Sequence, residues 1–300
     1  MVSETLDPNA MRRGIAGWYQ SNGRALAFRR STEPWAVLVS EVMLQQTQVA
    51  RVEPAWTRFI AAFPTPSALA AASPADAIRA WSGLGYNRRA LNLWRAAVQI
   101  VERHGGAVPD RLEELLDLPG VGAYTARAVA AISFRMPAAA VDTNVRRVVL
   151  RLHGESDPRA AQALADDLVD PDAPDRWTHA VMDIGATLCR PRLPRCADCP
   201  LVSMCAFASA QGGQVARRVQ PVRKAPRPFE QSNRWLRGRI VDRLRQAPGG
   251  AWVHIEGSIG SHGPAGVERA LAALTVEGLL ETAADGRVRL AAGGASEAAA

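Results

Sequence analysis

Lysine is almost absent from this 300-residue chain: Lys224 is the only one, so the formal net charge of +7 is carried by arginine. No lysine amine is at hand before residue 224 to attack a carbon centre and form a Schiff base. Cysteine is missing everywhere except residues 189–205. In a chain whose Met1-Val2-Ser3-Glu4 opening does not resemble a secretory signal, that clustering favours a metal site over disulfides. No run approaches the roughly 18 apolar residues of a membrane helix, so a cytoplasmic protein with no membrane attachment is expected. Residues 10–205 lack the sustained alternation of strands, and no internal repeat is present. Apolar residues are not scarce; at 48% they suffice for an ordered core.

What is there reads as a succession of short helices. Helical spacing recurs in Val37, Leu38, Glu41, Val42, Leu44 and in Val145, Val148, Val149, Leu152. Turn signals separate these stretches, among them Phe63-Pro64-Thr65-Pro66, Gly83-Leu84-Gly85 and Leu118-Pro119-Gly120. Residues 208–230, with three prolines and paired arginines, read as a basic linker. Beyond it, Trp235–Leu244 and Gly266–Leu280 predict helices. Glu281–Leu290, turning at Asp285-Gly286, predicts a hairpin. A small α+β winged-helix-like appendage over 231–292 is the expectation. Among the tryptophans, Trp35, Trp56, Trp81 and Trp94 are expected in the core rather than as platforms for bases.

The cysteines are spaced Cys189-x6-Cys196-x2-Cys199-x5-Cys205. Four thiolates in so short a span can close around one [4Fe–4S] cluster. A zinc ribbon would show two separated Cys-x2-Cys pairs, and only one exists here. Between the first two ligands, Arg190, Arg192 and Arg195 sit in a loop stiffened by Pro191 and Pro194. Guanidinium groups held this way are suited to phosphates, against the plainer reading of a solvated basic loop.

Gly120-Val121-Gly122 lies between two helical stretches. Alone it would be an ordinary turn. It would also let a phosphate approach the backbone amides at a helix N-terminus. Glu41 interrupts an apolar helix: it either faces solvent or is desolvated, in which case its carboxyl would hold a proton near neutral pH. Asp142 precedes the helix Val145–Leu152, where it could simply cap the helix or serve as a permanent anion; the two roles are compatible.

Together, Leu118-Pro119-Gly120-Val121-Gly122, Val141-Asp142 and the cysteine array resemble the helix-hairpin-helix DNA glycosylases of the endonuclease III superfamily. The resemblance spans about residues 10–207. Within it, Ser40-Glu41-Val42-Met43-Leu44-Gln45-Gln46-Thr47-Gln48-Val49 and Gly83-Leu84-Gly85-Tyr86 resemble the adenine DNA glycosylase (MutY) family. The resemblance implies an all-α, two-lobed fold with a six-helix lobe over about 31–139 and an iron–sulfur lobe over about 10–30 and 140–207. It implies removal of adenine mispaired with 8-oxoguanine or guanine in double-stranded DNA, by a monomer associated with the nucleoid in a prokaryote.

By the same resemblance, Glu41 would protonate adenine and Asp142 would stabilise the cationic sugar and help position water, supported by Asn144 and Tyr124. Arg24, Phe28, Arg29 and Asp183 match positions lining the adenine pocket, although the arginines could equally be surface charges. Gln46, Thr47, Leu84 and Tyr86 would wedge the duplex near the opposing purine, with Arg88 and the hairpin residues Gly120, Val121 and Gly122 on the DNA. Bifunctional relatives carry a lysine where this chain has Tyr124, so the reaction should stop at an abasic site. Three departures stand out: Ala27-Phe28-Arg29 for the usual Pro-Trp-Arg, Asp142-Thr143-Asn144 for Asp-Gly-Asn, and about 70 residues after the linker, too few for the family's MutT-like domain. Two other functions compete: a related glycosylase for thymine, uracil or a damaged pyrimidine, and a non-catalytic iron–sulfur DNA-binding protein.

Overall fold

The computed structural model describes residues 7–210 and 228–293. Its helices are α1 (Pro8–Asn22), α2 (Pro34–Leu44), α3 (Val49–Ala62), α4 (Pro66–Ala70), α5 (Pro74–Ala80), α6 (Arg88–His104) and α7 (Leu112–Asp117). They continue as α8 (Ala123–Phe134), α9 (Thr143–His153), α10 (Ala161–Leu168), α11 (Pro174–Thr187), α12 (Ala206–Ala210), α13 (Asn233–Arg245) and α14 (Pro264–Val276). Strands β1 (Leu280–Thr282) and β2 (Val288–Leu290) close the order. Among the described residues no helix is long and apolar enough to cross a membrane.

The helix starts follow from local chemistry. Glu33 accepts from the free amides of Trp35 and Ala36 at the head of α2 (3.1 and 2.7 Å), and Ser73 with Asp76 forms a reciprocal capping box on α5. Proline opens α1, α4, α5, α11 and α14, where its missing N–H costs nothing. Every residue of α2 from Trp35 to Met43 is buried, so this helix has no solvent face.

Two compact units result. Of the described residues, the first comprises 7–41, 110–117 and 121–210; the second comprises 42–109, 118–120 and 228–293. In the first, α11 packs against α1, α8 and α9, over a core that includes Met11, Val145, Val149, Trp177 and Ile184. Each such buried aliphatic contributes about 1.5–3 kcal/mol. In the second, α4 and α5 pack on α6, and Trp81 meets Phe59 edge-on with centroids 5.8 Å apart. Trp35 and Trp81 are fully buried, whereas Trp56 and Trp94 are only partly so.

This division differs from the expected one. Helices α7 and α8 were expected in the six-helix lobe, yet both join the cysteine-bearing unit, because α8 is buried along most of its length and packs on α11. The C-terminal appendage belongs to the second unit. Its second helix stops at Val276 rather than at residue 280. Leu280 instead pairs with Leu290 across an antiparallel hairpin, and burial of both side chains there outweighs the helical spacing. Val253 adds a single bridge to Val288. Of the expected linker, residues 211–227 lie outside the described residues, as does the tail from residue 294; α12 reaches Ala210 from one side, and a short 3-10 turn begins at Phe229 on the other.

Candidate active site

Glu41 lies near the C-terminal end of α2 and is 5% exposed. Tyr124, in the first turn of α8, donates its hydroxyl to the Glu41 carboxyl, and its own ionisation is pushed well up, by burial first and then by Glu41 and Asp142. The hydroxyl also lies 3.8 Å from Met182 Sδ. Glu41 Oε2 is buried with no partner among the described residues. Burial raises the Glu41 pKa to about 7, and the Asp142 charge adds to the rise; the Tyr124 bond and the Arg29 charge oppose it. The carboxyl is thus about half protonated at neutral pH, with one oxygen left for a ligand.

Asp142 takes the capping role its position allowed. As N-cap of α9 it accepts from the amides of Asn144 (2.8 Å) and Val145 (2.7 Å) through Oδ1, while Oδ2 accepts from the Asn144 side chain (3.0 Å). Three donors thus converge on one carboxylate. Glu41, Tyr124, Asp142 and Asn144 therefore come together within the first unit. A carboxyl able to give up a proton beside a carboxylate able to face a cation is the pairing an acid-assisted bond cleavage needs.

Asn144 carries the arrangement further. Its Oδ1 accepts from Arg147 Nη2 (2.8 Å), and Arg147 also donates to the carbonyls of Gly185 (2.6 Å) and Cys189 (2.6 Å). A Cβ on Gly185 would stand 2.7 Å from Asn144 Cβ, so only glycine lets α11 approach α9 here. Sequence reasoning missed Arg147; its spacing, one helical turn after Asn144, was the available signal.

Arg24, Arg29 and Asp183 form one ion cluster, in which Asp183 and Arg29 are buried while Arg24 stays about one-third exposed. Asp183 is fully buried and is gripped by Arg29 Nη1 (2.8 Å) and Nη2 (3.0 Å), Arg24 Nε (2.6 Å) and the Arg24 amide (3.0 Å). Burial alone would raise its pKa; the Arg29 hydrogen bonds, with the Arg29 and Arg24 charges, reverse that and hold it low. One turn earlier, His179 is pushed down to about 3 by burial and the nearby Arg29 charge, so its imidazole is neutral. Phe28 packs into the interior beside this cluster's Arg29, 5% exposed.

The expected wedge residues fall in the second unit. Gln46 and Tyr86 both adopt left-handed backbone conformations (φ 54° and 46°) in exposed loops. Leu84 is a correction: at 4% exposed it is an interior residue, and only Tyr86, at 39%, presents a large side chain at that loop. Arg88 is exposed at the start of α6. The neighbouring Arg89, missed as a site residue, turns inward. It donates to the carbonyls of Val42 (3.0 Å), Met43 (2.9 Å), Gln45 (2.5 Å), Leu84 (3.2 Å) and Gly85 (3.1 Å) and to Thr47 Oγ1 (3.0 Å). One guanidinium thus ties the Gln45–Thr47 loop to the Leu84–Tyr86 loop.

In the glycine hairpin the two glycines do different work. Gly120 has φ 81° and a Cβ there would meet Asn92 at 2.9 Å. A Cβ on Gly122, the N-cap of α8, would meet nothing within 4 Å, leaving the amides open to an anion. Val121 is buried.

The four cysteines line one cavity with Val148, Leu152, Ile184, Leu188 and Phe207. Burial pushes Cys199 up to about 11, its neighbouring thiols adding to the rise; Cys196 is raised by burial and by Cys205 and Cys189. Bare thiolates at Cys196 and Cys199 are therefore disfavoured. Among the described residues no three His, Cys, Asp or Glu side chains form a group set to hold a metal ion. Arg151 donates to Cys189 Sγ (3.4 Å) and to the carbonyls of Arg190 and Pro191. Arg190, Arg192 and Arg195 are exposed in the loop, although Arg195 pairs with Asp198 at 2.8 Å.

Residues 39–171 match the profile described as HhH-GPD superfamily base excision DNA repair protein. The chain is 44% identical over 289 residues to an adenine DNA glycosylase of Mycolicibacterium smegmatis, covering 93% of this chain and 96% of that one. It is 40% identical over 221 residues to an adenine DNA glycosylase of Homo sapiens, covering 68% and 40%. Among solved structures it is similar to a thermostable thymine-DNA glycosylase (TM-score 0.64, 26% identity, 68% of this chain and 97% of that one). It also shares the fold of endonuclease III in a non-covalent DNA complex (TM-score 0.58, 23% identity, 70% and 100%).

Proposed function

The chain belongs to the adenine DNA glycosylase family of helix-hairpin-helix base excision repair proteins, and from that premise we propose how this site releases adenine and what it leaves behind. The protein is an N-glycosylase, a hydrolase acting on DNA. We assign it adenine mispaired with 8-oxoguanine or guanine in duplex DNA, acting as a monomer that stops at the abasic site. The observation that carries the reading is the Glu41 carboxyl, buried, poised near neutral pH and offering one free oxygen beside the Asp142 anion.

Adenine leaves readily once a ring nitrogen is protonated. Glu41 supplies that proton, while Tyr124 holds the other side of its carboxyl in place. Asp142, held in place by three donors, stabilises the positive charge that builds on the sugar and orients the water that attacks it. Each group contributes roughly 10²–10⁴-fold. No lysine precedes residue 224, and Tyr124 occupies the place of the lyase nucleophile, so the strand is not cut. The four cysteines would hold a [4Fe–4S] cluster, whose bonds to the thiolates would fix the arginine loop at both ends. Arg190, Arg192, Arg195, Arg88 and the amides after Gly122 bind phosphates, and Gln46, Thr47 and Tyr86 enter the duplex.

The test uses duplexes with adenine opposite 8-oxoguanine, adenine opposite guanine, and thymine opposite guanine, developed with and without alkali. Alkali-dependent breaks at adenine alone are expected. Cleavage at thymine would favour the mismatch-pyrimidine reading, and breaks without alkali would remove the monofunctional assignment. Binding with no cleavage would favour a non-catalytic protein. Iron content and broad absorbance at roughly 400 nm check the cluster; a colourless zinc protein would refute it.

A further inference from the structure

The C-terminal appendage grips the Tyr86 loop. Arg234, in the first turn of α13, donates to the Tyr86 hydroxyl and stacks over its ring with the guanidinium carbon 4.6 Å from the centroid. Phe229 backs the same guanidinium at 4.8 Å. At the other end of α13, Arg245 donates to Asn87 Oδ1 (2.7 Å) and to the Ile78 carbonyl (3.0 Å). Asn87 is the N-cap of α6, yet its side chain makes no capping bond to that helix. It is held by Arg245 instead. One helix therefore fastens two consecutive residues of a loop whose tyrosine stands in a left-handed conformation.

Beyond the Phe229 ring, no contact among the described residues ties the Arg234 guanidinium to its own appendage. Its module is anchored elsewhere, by Arg245, by the Arg237–Glu277 ion pair (2.6 Å) and by the pairing of β1 with β2. Arg234 itself is exposed, and its partner is the exposed Tyr86 rather than an interior group. A planar guanidinium that stacks on a ring and gives one N–H to its hydroxyl keeps other donors facing outward, which suits the acceptor-rich edge of a purine.

We propose that Arg234 is a specificity-determining residue: α13 completes the wedge, setting the pose of Tyr86 and offering donors to the purine opposite the target adenine. This rests on the proposed role of Tyr86 and goes beyond it, because it makes the small appendage part of the reading surface.

The test measures the affinity of full-length protein and its Arg234→Ala variant for duplexes carrying 2′-fluoro-2′-deoxyadenosine, whose glycosidic bond resists hydrolysis. The adenine analogue is placed opposite 8-oxoguanine, guanine, or an abasic tetrahydrofuran residue. Arg234→Ala should weaken binding at least tenfold opposite either purine and less than threefold opposite the abasic residue, with an unchanged melting temperature. Tyr86→Phe, which loses only the hydroxyl acceptor, should reproduce part of the loss, and adding it to Arg234→Ala should cost little more. Equal losses on all three duplexes would make Arg234 a phosphate contact, and no loss on any would make the contact idle; either result overturns the proposal. Failure of the wild-type protein to release adenine from any ordinary mispair would instead strike the underlying function, whatever Arg234 does.

Discussion

The Asp183 centre in the first unit and the Arg89 centre in the second use the same kind of side chain to opposite ends. Around Asp183 two guanidinium groups neutralise a fully buried carboxylate. Around Arg89 there is no carboxylate: five carbonyls and a hydroxyl share one guanidinium, and burial lowers its pKa to about 10. The first centre is held by charge, with a heavy desolvation cost on both sides. The second is held by the geometry of the fork, which reaches acceptors on two loops at once. Glu41 is the foil to both. It is a buried carboxyl that the Arg29 charge influences without pairing with it, so its pKa moves up where that of Asp183 moves down.

The comparison can be broken most forcefully at Asp183. Asp183→Ala leaves Arg29 with a buried, unpaired charge and should lower stability by about 3–5 kcal/mol, read from urea unfolding. A loss under 1 kcal/mol would mean the cluster is solvated. Glu41→Gln should act in the other direction. The folded pKa of about 7 lies above the ordinary 4.5, so the Glu41 contribution is intact below pH 4.5 and is lost as pH rises through 7. Removing the charge should therefore stabilise the protein by roughly 3 kcal/mol at pH 8, with the gain vanishing near pH 4.5.

The same substitution should reduce adenine release by roughly 10²–10⁴-fold. In the unaltered enzyme the single-turnover rate should fall about tenfold per pH unit above 7. A flat profile from pH 6 to 9 would remove Glu41 as the proton donor.

Arg89→Lys separates fork from charge. An ammonium keeps the charge but cannot span both loops, so stability should drop by about 1–3 kcal/mol; full retention would show that charge alone suffices. The smallest effect belongs to an arginine of neither class. Arg192→Ala, on the exposed cysteine loop, should leave stability within about 0.5 kcal/mol while reducing the salt slope of DNA binding by about 1. An unchanged slope would take that loop off the phosphates.

How far residues announced their roles varies with the range of the forces involved. Asp142 was legible because a cap is a local event: its acceptors meet amides two and three residues away. The convergence of the cysteines on one cavity was legible because all four lie in one short segment. Glu41 was ambiguous, since an apolar helix with one carboxyl reads alike whether that face is covered or wet. Leu84 and Tyr86 share a loop between glycines, and their opposite fates, one interior and one exposed, follow from side-chain directions that no periodicity encodes. Arg147 and Arg89 carried no motif at all. Their partners are mostly backbone carbonyls, and carbonyls have no signature in a sequence.

From the chain alone came the helical character, the candidate carboxylates, the missing lysine and the clustered cysteines, because each depends on residue type or on neighbours a few positions apart. Folding decided the Glu41 proton, the pairing of Arg24 and Arg29 with Asp183, the division into two units, and the grip of α13 on the Tyr86 loop. Those outcomes depend on how much water is excluded around a group, and on which distant atoms take its place.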